Sequence, residues 1–249
     1  LHARHHAGTF VIRSEDTDSE RSDDAHLDAR LAELSWLGLH WEEGPDVGGG
    51  HGPYRQSDRT DVYRECLDRL QAADRAYPCF CTRAELEAAR ERQRAAGRPP
   101  RYPGTCAQLS EAERAARRAQ GPASTLRFRV PNEGVVEYRD LLRGRQQFRL
   151  ADIGDFVIAR ADGTPAFFFA NALDDALMEI THVLRGEDHL TNTPRQLLLL
   201  EALGLDAPAY GHLALITGDD GRPLSKRHGA AALEDLRTAG YRPEAVVNH

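Results

Sequence analysis

Three short apolar runs, each followed directly by a charged loop, most constrain how this chain can fold. They lie at residues 9–13, 180–184 and 212–217, and a helical pattern at residues 192–203 separates the last two. Strands that alternate with helices favour a parallel sheet with crossover helices. Because such a sheet binds ligands at the carboxyl ends of its strands, we expect the three charged loops to form the functional site.

Composition narrows the class of protein. The chain has 249 residues, of which 41% are hydrophobic and 29% charged, and its formal net charge is -7. No apolar run approaches the roughly 20 residues that are needed to cross a bilayer. We therefore expect a cytoplasmic protein with no membrane partner. The negative charge argues against general nucleic-acid binding, although arginines outnumber acids between Arg83 and Arg118.

The first two charged loops each allow two interpretations. Glu15 and Asp16 follow the first run, where carboxylates can bind an ammonium group or cap the next helix. In the second loop, the two-pronged guanidinium of Arg185 suits a carboxylate ligand. An ion pair with the nearby Glu187 is the alternative. Asp188 and His189, beside them, offer polar edges that suit a ribose or an adenine.

The third loop is suited to polyphosphate. Ser225 and Lys226 lie between glycines at positions 221 and 229, which allow a loop to open and close. Lysine would place positive charge on separating phosphate oxygens, with Ser225 sharing that role. The alternative is a surface turn that happens to carry a lysine.

Together the loops identify a family. The segments at residues 14–18, 52–57, 185–196 and 224–229 resemble the catalytic domain of bacterial glutamyl-tRNA synthetases, in family order and over essentially the whole chain. The resemblance implies an α/β fold: a Rossmann-like, parallel-sheet class I synthetase catalytic domain with an inserted small α+β acceptor-binding domain. The expected parts are the first catalytic segment, the insertion, the second catalytic segment and the start of a stem-contact helical region, at residues 1–75, 76–165, 166–230 and 231–249.

The family's reaction is the ATP-dependent activation of L-glutamate, followed by its transfer to the 3′ end of tRNA(Glu). The resemblance implies ATP and Mg²⁺ at the site, tRNA(Glu) as partner and a monomeric enzyme. It assigns glutamate binding to Glu15, Phe167, Asn171 and Arg185. It assigns ATP binding to Asp188, His189, Leu224, Ser225 and Lys226, the last two of which are catalytic.

The chain departs from the family pattern at several points. The His-Ile-Gly-His signature is absent and would lie before residue 1, so the resemblance implies a weak catalyst in the chain as given. Pro223 stands where the first loop lysine is usual. Phe167 stands where a substrate-contacting tyrosine is common, which removes a hydroxyl from the glutamate pocket.

Cysteines in the insertion resemble those of the family's zinc-bearing members. Cys79, Cys81 and Cys106 supply three thiols, and zinc takes four ligands. Tyr102 or a water would complete the set. The alternative is that these are free, buried cysteines, which is the interpretation we give to Cys66.

Two other functions remain open at the level of sequence. The short relative that glutamylates queuosine in tRNA(Asp) has similar loops and lacks an anticodon-binding domain. The segment at residues 240–249 instead resembles the entry to the stem-contact region of the longer synthetase. A noncatalytic, synthetase-like binding module is the second alternative, although retention of Glu15, Arg185 and Lys226 favours an enzyme.

Overall fold

The computed structural model describes residues 2–17, 24–121, 124–215, 217–218 and 232–248. The α-helices in these ranges are α1 (His2–His5), α2 (Asp24–Trp36), α3 (Thr60–Ala72), α4 (Arg83–Ala95), α5 (Glu111–Gln120), α6 (Leu150–Ile153), α7 (Phe167–Leu177), α8 (Thr193–Leu203), α9 (Leu233–Thr238) and α10 (Pro243–Asn248). The strands are β1 (Ala76–Cys79), β2 (Thr125–Phe128), β3 (Val135–Asp140), β4 (Gly144–Arg149), β5 (Phe156–Ala159), β6 (His182–Gly186) and β7 (Ala209–Leu213). Short 3-10 helices lie at Gln56–Arg59 and Glu187–His189. None of the described helices has the length and hydropathy needed to span a membrane.

The chain divides into two compact units. One comprises Leu1–Thr60 with Ala214–His249, and the other comprises Asp61–Leu213. The second unit contains an antiparallel sheet in the order β1-β2-β5, the antiparallel hairpin β3–β4 and the parallel pair β6–β7. It therefore combines parallel and antiparallel pairing.

A continuous apolar core holds the second unit together. Helix α3 contributes Tyr63 and Leu70, which lie on one face because residues seven apart return to the same side of a helix. From the antiparallel sheet come Phe128 and Phe156, whose rings stack with centroids 5.2 Å apart. Burial of large side chains of this kind contributes roughly 1.5–3 kcal/mol each.

The parallel pair β6–β7 is the part of the fold that positions the site. Helix α8 connects the two strands, so the predicted strand–helix–strand unit is confirmed. Strand β6 begins two residues later than the predicted run, because Ile180 lies in the turn that closes α7: its N–H donates to the Asp175 carbonyl at 2.8 Å. Arg185 consequently lies within the strand rather than in the loop after it. Strand β7, by contrast, begins earlier than predicted, at Ala209, and ends at Leu213.

The predicted strand at residues 9–13 is wrong. This segment makes only isolated bridges, Val11 with Glu43 and Ser14 with Arg55. The N–H of Ile12 donates to Glu43 at 2.9 Å, and the N–H of Ser14 donates to Tyr54 at 2.8 Å. The neighbouring residues 42–55 form a loop rich in turns, which runs beside the segment only briefly, and a strand requires a continuous neighbour.

Candidate functional site

Arg185 is the centre of the candidate site in the second unit. It pairs in register with His212 across the parallel strands, and its Nε donates to His212 Nε2 at 3.2 Å. Its Nη2 donates to the Thr193 hydroxyl at 2.8 Å and to Gln196 Oε1 at 2.7 Å. The guanidinium carbon lies 5.3 Å from the centroid of the Tyr210 ring. Two of its three nitrogens are thereby fixed by neutral groups.

The ion pair considered between Arg185 and Glu187 does not form. Glu187 instead pairs with Arg143 of the β3–β4 turn. Among the described residues, no carboxylate lies within ion-pair distance of Arg185. Burial lowers the pKa of Arg185 below its ordinary value, although Tyr210 and Asp175 oppose the shift. The half-buried guanidinium is therefore a cation without a direct anionic partner in this part of the chain.

Helix α8 supplies two of the acceptors that hold Arg185. Thr193 begins the helix and Pro194 follows it, a position where proline loses nothing because the first N–H groups of a helix have no partner in it. Gln196 is fully buried, and its amide nitrogen donates to the Phe168 carbonyl at 3.3 Å. That bond directs the other end of the amide, Oε1, toward Arg185.

The sequence-based prediction missed several partners of Arg185. Thr193 and Gln196 lie in a segment that carried the family resemblance, but no role was assigned to them. His212 lies in a predicted strand, and its position opposite Arg185 depends on the strand register. Asp140, which contacts His212 Nδ1 at 2.5 Å, is 72 residues away in the chain. No local sequence pattern indicates that a His and an Asp so far apart in the chain will be buried together.

Helix α7 and the turn after β6 bring further predicted residues together. The ring of Phe167, which is 45% exposed at the start of α7, has its centroid 5.8 Å from that of His189. Asn171 is four residues along the same helix and is buried. His189 Nδ1 lies 3.1 Å from the amide of Asn192, and its Nε2 lies 3.6 Å from Asp188. The predicted glutamate-binding residue Phe167 thus adjoins the predicted ATP-binding residue His189.

In the other unit, the two carboxylates of the first loop have different environments. Glu15 is exposed, and its Oε1 lies 3.6 Å from Arg13 Nη2. Asp16 accepts hydrogen bonds from the backbone N–H and the hydroxyl of Ser57, both at 2.9 Å. Asp16 therefore holds the first turn of the short helix at Gln56–Arg59 through Ser57.

The predicted phosphate loop lies outside the described residues. This applies to Leu224, Ser225 and Lys226, so their roles remain predictions.

A cluster of thiols lies in the insertion. The sulfurs of Cys79, Cys81 and Cys106 are all within 4.8 Å of one another. The hydroxyl of Tyr102 lies 3.4 Å from the Cys79 sulfur and 3.6 Å from the Cys81 sulfur. Burial opposes ionisation of Cys79, but hydrogen bonds from Tyr102 and Arg127 outweigh it and lower its pKa.

The three thiols match zinc in kind, and the Tyr102 hydroxyl brings the number of neighbouring groups to four. Zinc binds thiolate sulfurs at about 2.3 Å with tetrahedral geometry. Because zinc takes four ligands, one more is needed besides the three sulfurs. The Tyr102 hydroxyl lies beside two of these sulfurs and can supply it. Cys66, by contrast, is buried on α3 within the apolar core, as predicted for a packing residue.

Comparison with known proteins identifies the family of this chain. A family model described as tRNA synthetases class I (E and Q), catalytic domain, matches residues 1–249. Glutamate–tRNA ligase 2 of Alkalilimnicola ehrlichii is 61% identical over 249 residues, which are 100% of this chain and 52% of that protein. Glutamate–tRNA ligase 2 of Acidithiobacillus ferrooxidans is 57% identical, with the same coverage. The chain spans about half the length of the curated relatives it matches.

Solved structures give the same result for the fold. A glutamate tRNA ligase from Elizabethkingia meningosepticum, in complex with its amino acid, has a TM-score of 0.87 and 32% identity, covering 99% of this chain and 54% of that one. The glutamate–tRNA synthetase of Elizabethkingia anophelis has a TM-score of 0.89 at 32% identity, covering 99% and 55%. The predicted class I synthetase fold is therefore confirmed. This chain belongs to the class I tRNA synthetases of the E and Q group, whose catalytic-domain model it matches over residues 1–249.

Proposed function

We propose that this chain is the catalytic part of a glutamate–tRNA ligase, which joins L-glutamate to tRNA(Glu) at the expense of ATP. The observation that carries the proposal is Arg185, a half-buried cation whose hydrogen-bond partners are all neutral. A buried charge is costly unless it is paired, so this guanidinium is prepared for an anionic ligand. The names of the relatives and the amino acid in the Elizabethkingia complex support glutamate as that ligand.

Arg185 would select glutamate by the charge of its side chain. The side-chain carboxylate can accept charge-assisted hydrogen bonds from the guanidinium, whose Nη1 has no partner among the described residues. Glutamine would instead direct its amide N–H groups at N–H donors, which leaves buried polar groups unpaired. In this proposal Glu15 binds the substrate ammonium group, while Phe167 and Asn171 line the pocket.

The first reaction step is the formation of glutamyl-adenylate. An oxygen of the glutamate α-carboxylate attacks the α-phosphorus of ATP, and the bond from that phosphorus to the bridging oxygen breaks to release pyrophosphate. Lys226 and Ser225 would stabilise the negative charge that develops on the leaving oxygens. Asp188, His189 and Leu224 would hold the nucleotide. Mg²⁺, when bound with ATP, supplies further neutralisation of the phosphates.

Composition adds support for Lys226. It is the only lysine in a sequence with 32 basic residues of the Lys and Arg types, so every other one is arginine. A compact ammonium differs from the planar guanidinium in geometry and hydration, and the two are not interchangeable at a phosphate site. That the only lysine lies within the family's loop is consistent with a requirement for a compact ammonium group at this position.

In the second step, a hydroxyl of the terminal adenosine of tRNA(Glu) attacks the glutamyl carbonyl and AMP leaves. The insertion would hold the acceptor end, with zinc at Cys79, Cys81, Tyr102 and Cys106 fixing its local fold. We further propose a cytoplasmic, monomeric enzyme. No feature of the described residues favours the queuosine-type relative or a noncatalytic module.

Glutamate-dependent exchange between ATP and pyrophosphate tests the proposal. It should be measured on this chain and on the chain extended to the length of its curated relatives, with and without tRNA. We expect exchange with glutamate but not with glutamine, and a loss of about 100-fold or more in Lys226→Ala. Lys226→Arg, which keeps the charge, is the matched control and should recover only part of the activity. No exchange under any of these conditions would defeat the proposal.

A further inference from the structure

Asp140 and His212 form a buried pair behind Arg185. Asp140 ends strand β3, and the side chains of both residues are fully buried. Its Oδ1 accepts the backbone N–H groups of Leu142 at 3.0 Å and Arg143 at 2.9 Å. The same oxygen accepts the His212 backbone N–H at 3.3 Å, while Oδ2 lies 2.5 Å from His212 Nδ1. Both carboxylate oxygens are therefore engaged by donors.

These contacts assign the tautomer of His212. An ionised carboxylate can only accept, so Nδ1 of the ring must carry a proton. Nε2 faces Nε of Arg185, which can only donate, so Nε2 must be the unprotonated nitrogen. The Thr193 hydroxyl, 3.1 Å from Nε2, then donates its own proton to that nitrogen while its oxygen accepts from Arg185 Nη2. Both constraints give the neutral ring with its proton on Nδ1. A doubly protonated ring would direct one N–H group at another.

This tautomer determines which edge of Arg185 is available. His212 accepts from Nε, and Thr193 and Gln196 accept from Nη2, which fixes the plane of the guanidinium. Nη1 has no hydrogen-bond partner among the described residues. The guanidinium therefore presents Nη1 to a ligand, and its orientation depends on an acceptor at His212.

We propose that Asp140 and His212 are positioning residues for Arg185, holding its guanidinium in the orientation that binds an anionic side chain. This inference rests on the proposed function, because it takes glutamate as the ligand of Arg185. Neither residue contacts the ligand in this account. Asp140 acts through the His212 tautomer, and His212 acts through the Arg185 Nε–H group.

The isosteric change Asp140→Asn separates this role from simple packing. If the amide oxygen stays with the backbone N–H groups, the amide N–H₂ faces Nδ1 and forces the proton of His212 onto Nε2. If the amide turns around, its N–H₂ faces three backbone N–H groups. Neither orientation preserves the network, although the volume of the side chain is almost unchanged.

Calorimetric titration of this chain with glutamate and with glutamine tests the proposal. We expect Asp140→Asn to weaken glutamate binding by about 10-fold or more, the effect of losing one charge-assisted hydrogen bond, with glutamine binding little changed. Asp155→Asn is the matched control, since Asp155 also accepts from a backbone N–H and from a side chain, but contacts Val130 and Tyr77. It should leave glutamate binding unaltered. Unaltered glutamate binding in Asp140→Asn would overturn the proposal.

The tautomer can be measured without any ligand. In ¹⁵N-labelled protein near pH 7, we expect the His212 resonances to show a protonated Nδ1 and an unprotonated Nε2. A proton on Nε2 would overturn the proposal even if Asp140→Asn does not fold. If the unaltered chain binds neither amino acid, the proposed function fails, whereas the ring tautomer still decides whether the positioning network exists.

Discussion

Arg185 and His212 are lateral neighbours in the parallel pair β6–β7, and Nε of the first donates to Nε2 of the second at 3.2 Å. The contact follows from strand register, because paired residues on adjacent strands direct their side chains to the same face. A shift of one residue in either strand would move one of the two side chains to the opposite face. The geometry of the candidate substrate clamp is thus set by backbone pairing.

The thiol cluster leads to a prediction about metal content. Protein purified without chelator should contain close to one zinc per chain, because three thiolates and Tyr102 supply four ligands. Cys81→Ser should lose most of the metal, and Tyr102→Phe should weaken its retention against a competing chelator. Atomic emission spectroscopy on each variant measures this.

Cys66→Ala is the control for these variants. Cys66 is buried outside the cluster, so the change should leave the zinc content unaltered while lowering stability through a small cavity. A zinc content near zero in the unaltered protein would show that the thiols are packing residues.

Asp140 leads to a prediction about stability in acid. Burial disfavours its charge, but hydrogen bonds from His212, Arg143 and Leu142 outweigh burial and hold its pKa at about 2, below the ordinary 3.8. Its contribution to the free energy of unfolding is therefore present above pH 3.8 and lost as the pH falls through about 2, amounting to about 2 kcal/mol. Urea unfolding from pH 5 to pH 2 should show a weaker pH dependence in Asp140→Asn. An equal dependence in the two proteins would contradict this assignment.

Phe167 leads to a prediction about the glutamate pocket. The side chain is 45% exposed at the start of α7, so a hydroxyl can be added without burying it. We expect Phe167→Tyr to tighten glutamate binding by about threefold, the effect of one modest hydrogen bond, as measured by calorimetry. Phe148→Tyr on strand β4 makes the same change away from the site and should have no effect. Weaker binding in Phe167→Tyr would show that Phe167 contacts the ligand through its apolar ring alone.

Local sequence signals predicted most of the fold. Apolar spacing placed α8 within one residue of its observed start, and the alternation of strands and helices gave the parallel pair. The apolar run at residues 9–13 does not form a strand because the segment beside it is a loop, which offers only isolated backbone bridges. The sequence predicts Ile180 as a strand residue because an apolar residue in the turn after a helix looks the same in sequence as the first residue of a strand.

The sequence predicts members of the candidate site only where a residue's type and its immediate neighbours indicate a chemical role. A guanidinium after an apolar run indicated Arg185, and a Cys-x-Cys pair indicated Cys79 and Cys81. The network behind Arg185 could not be found in this way, because Asp140 and His212 meet only when the β3–β4 turn lies against β7. The N–H of Leu141 donates to the Tyr210 carbonyl at 2.8 Å in that contact.

The most direct test of the account is calorimetric titration of the unaltered chain and of Arg185→Gln with glutamate and glutamine. Gln keeps hydrogen-bonding capacity but removes the charge. The unaltered chain should bind glutamate at least about 100-fold more tightly than glutamine, because a buried guanidinium pairs with a carboxylate and opposes an amide. Arg185→Gln should abolish that preference, while Arg145→Gln on the exposed hairpin should retain it. Equal binding of the two amino acids by the unaltered chain, or an unchanged preference in Arg185→Gln, would contradict the account.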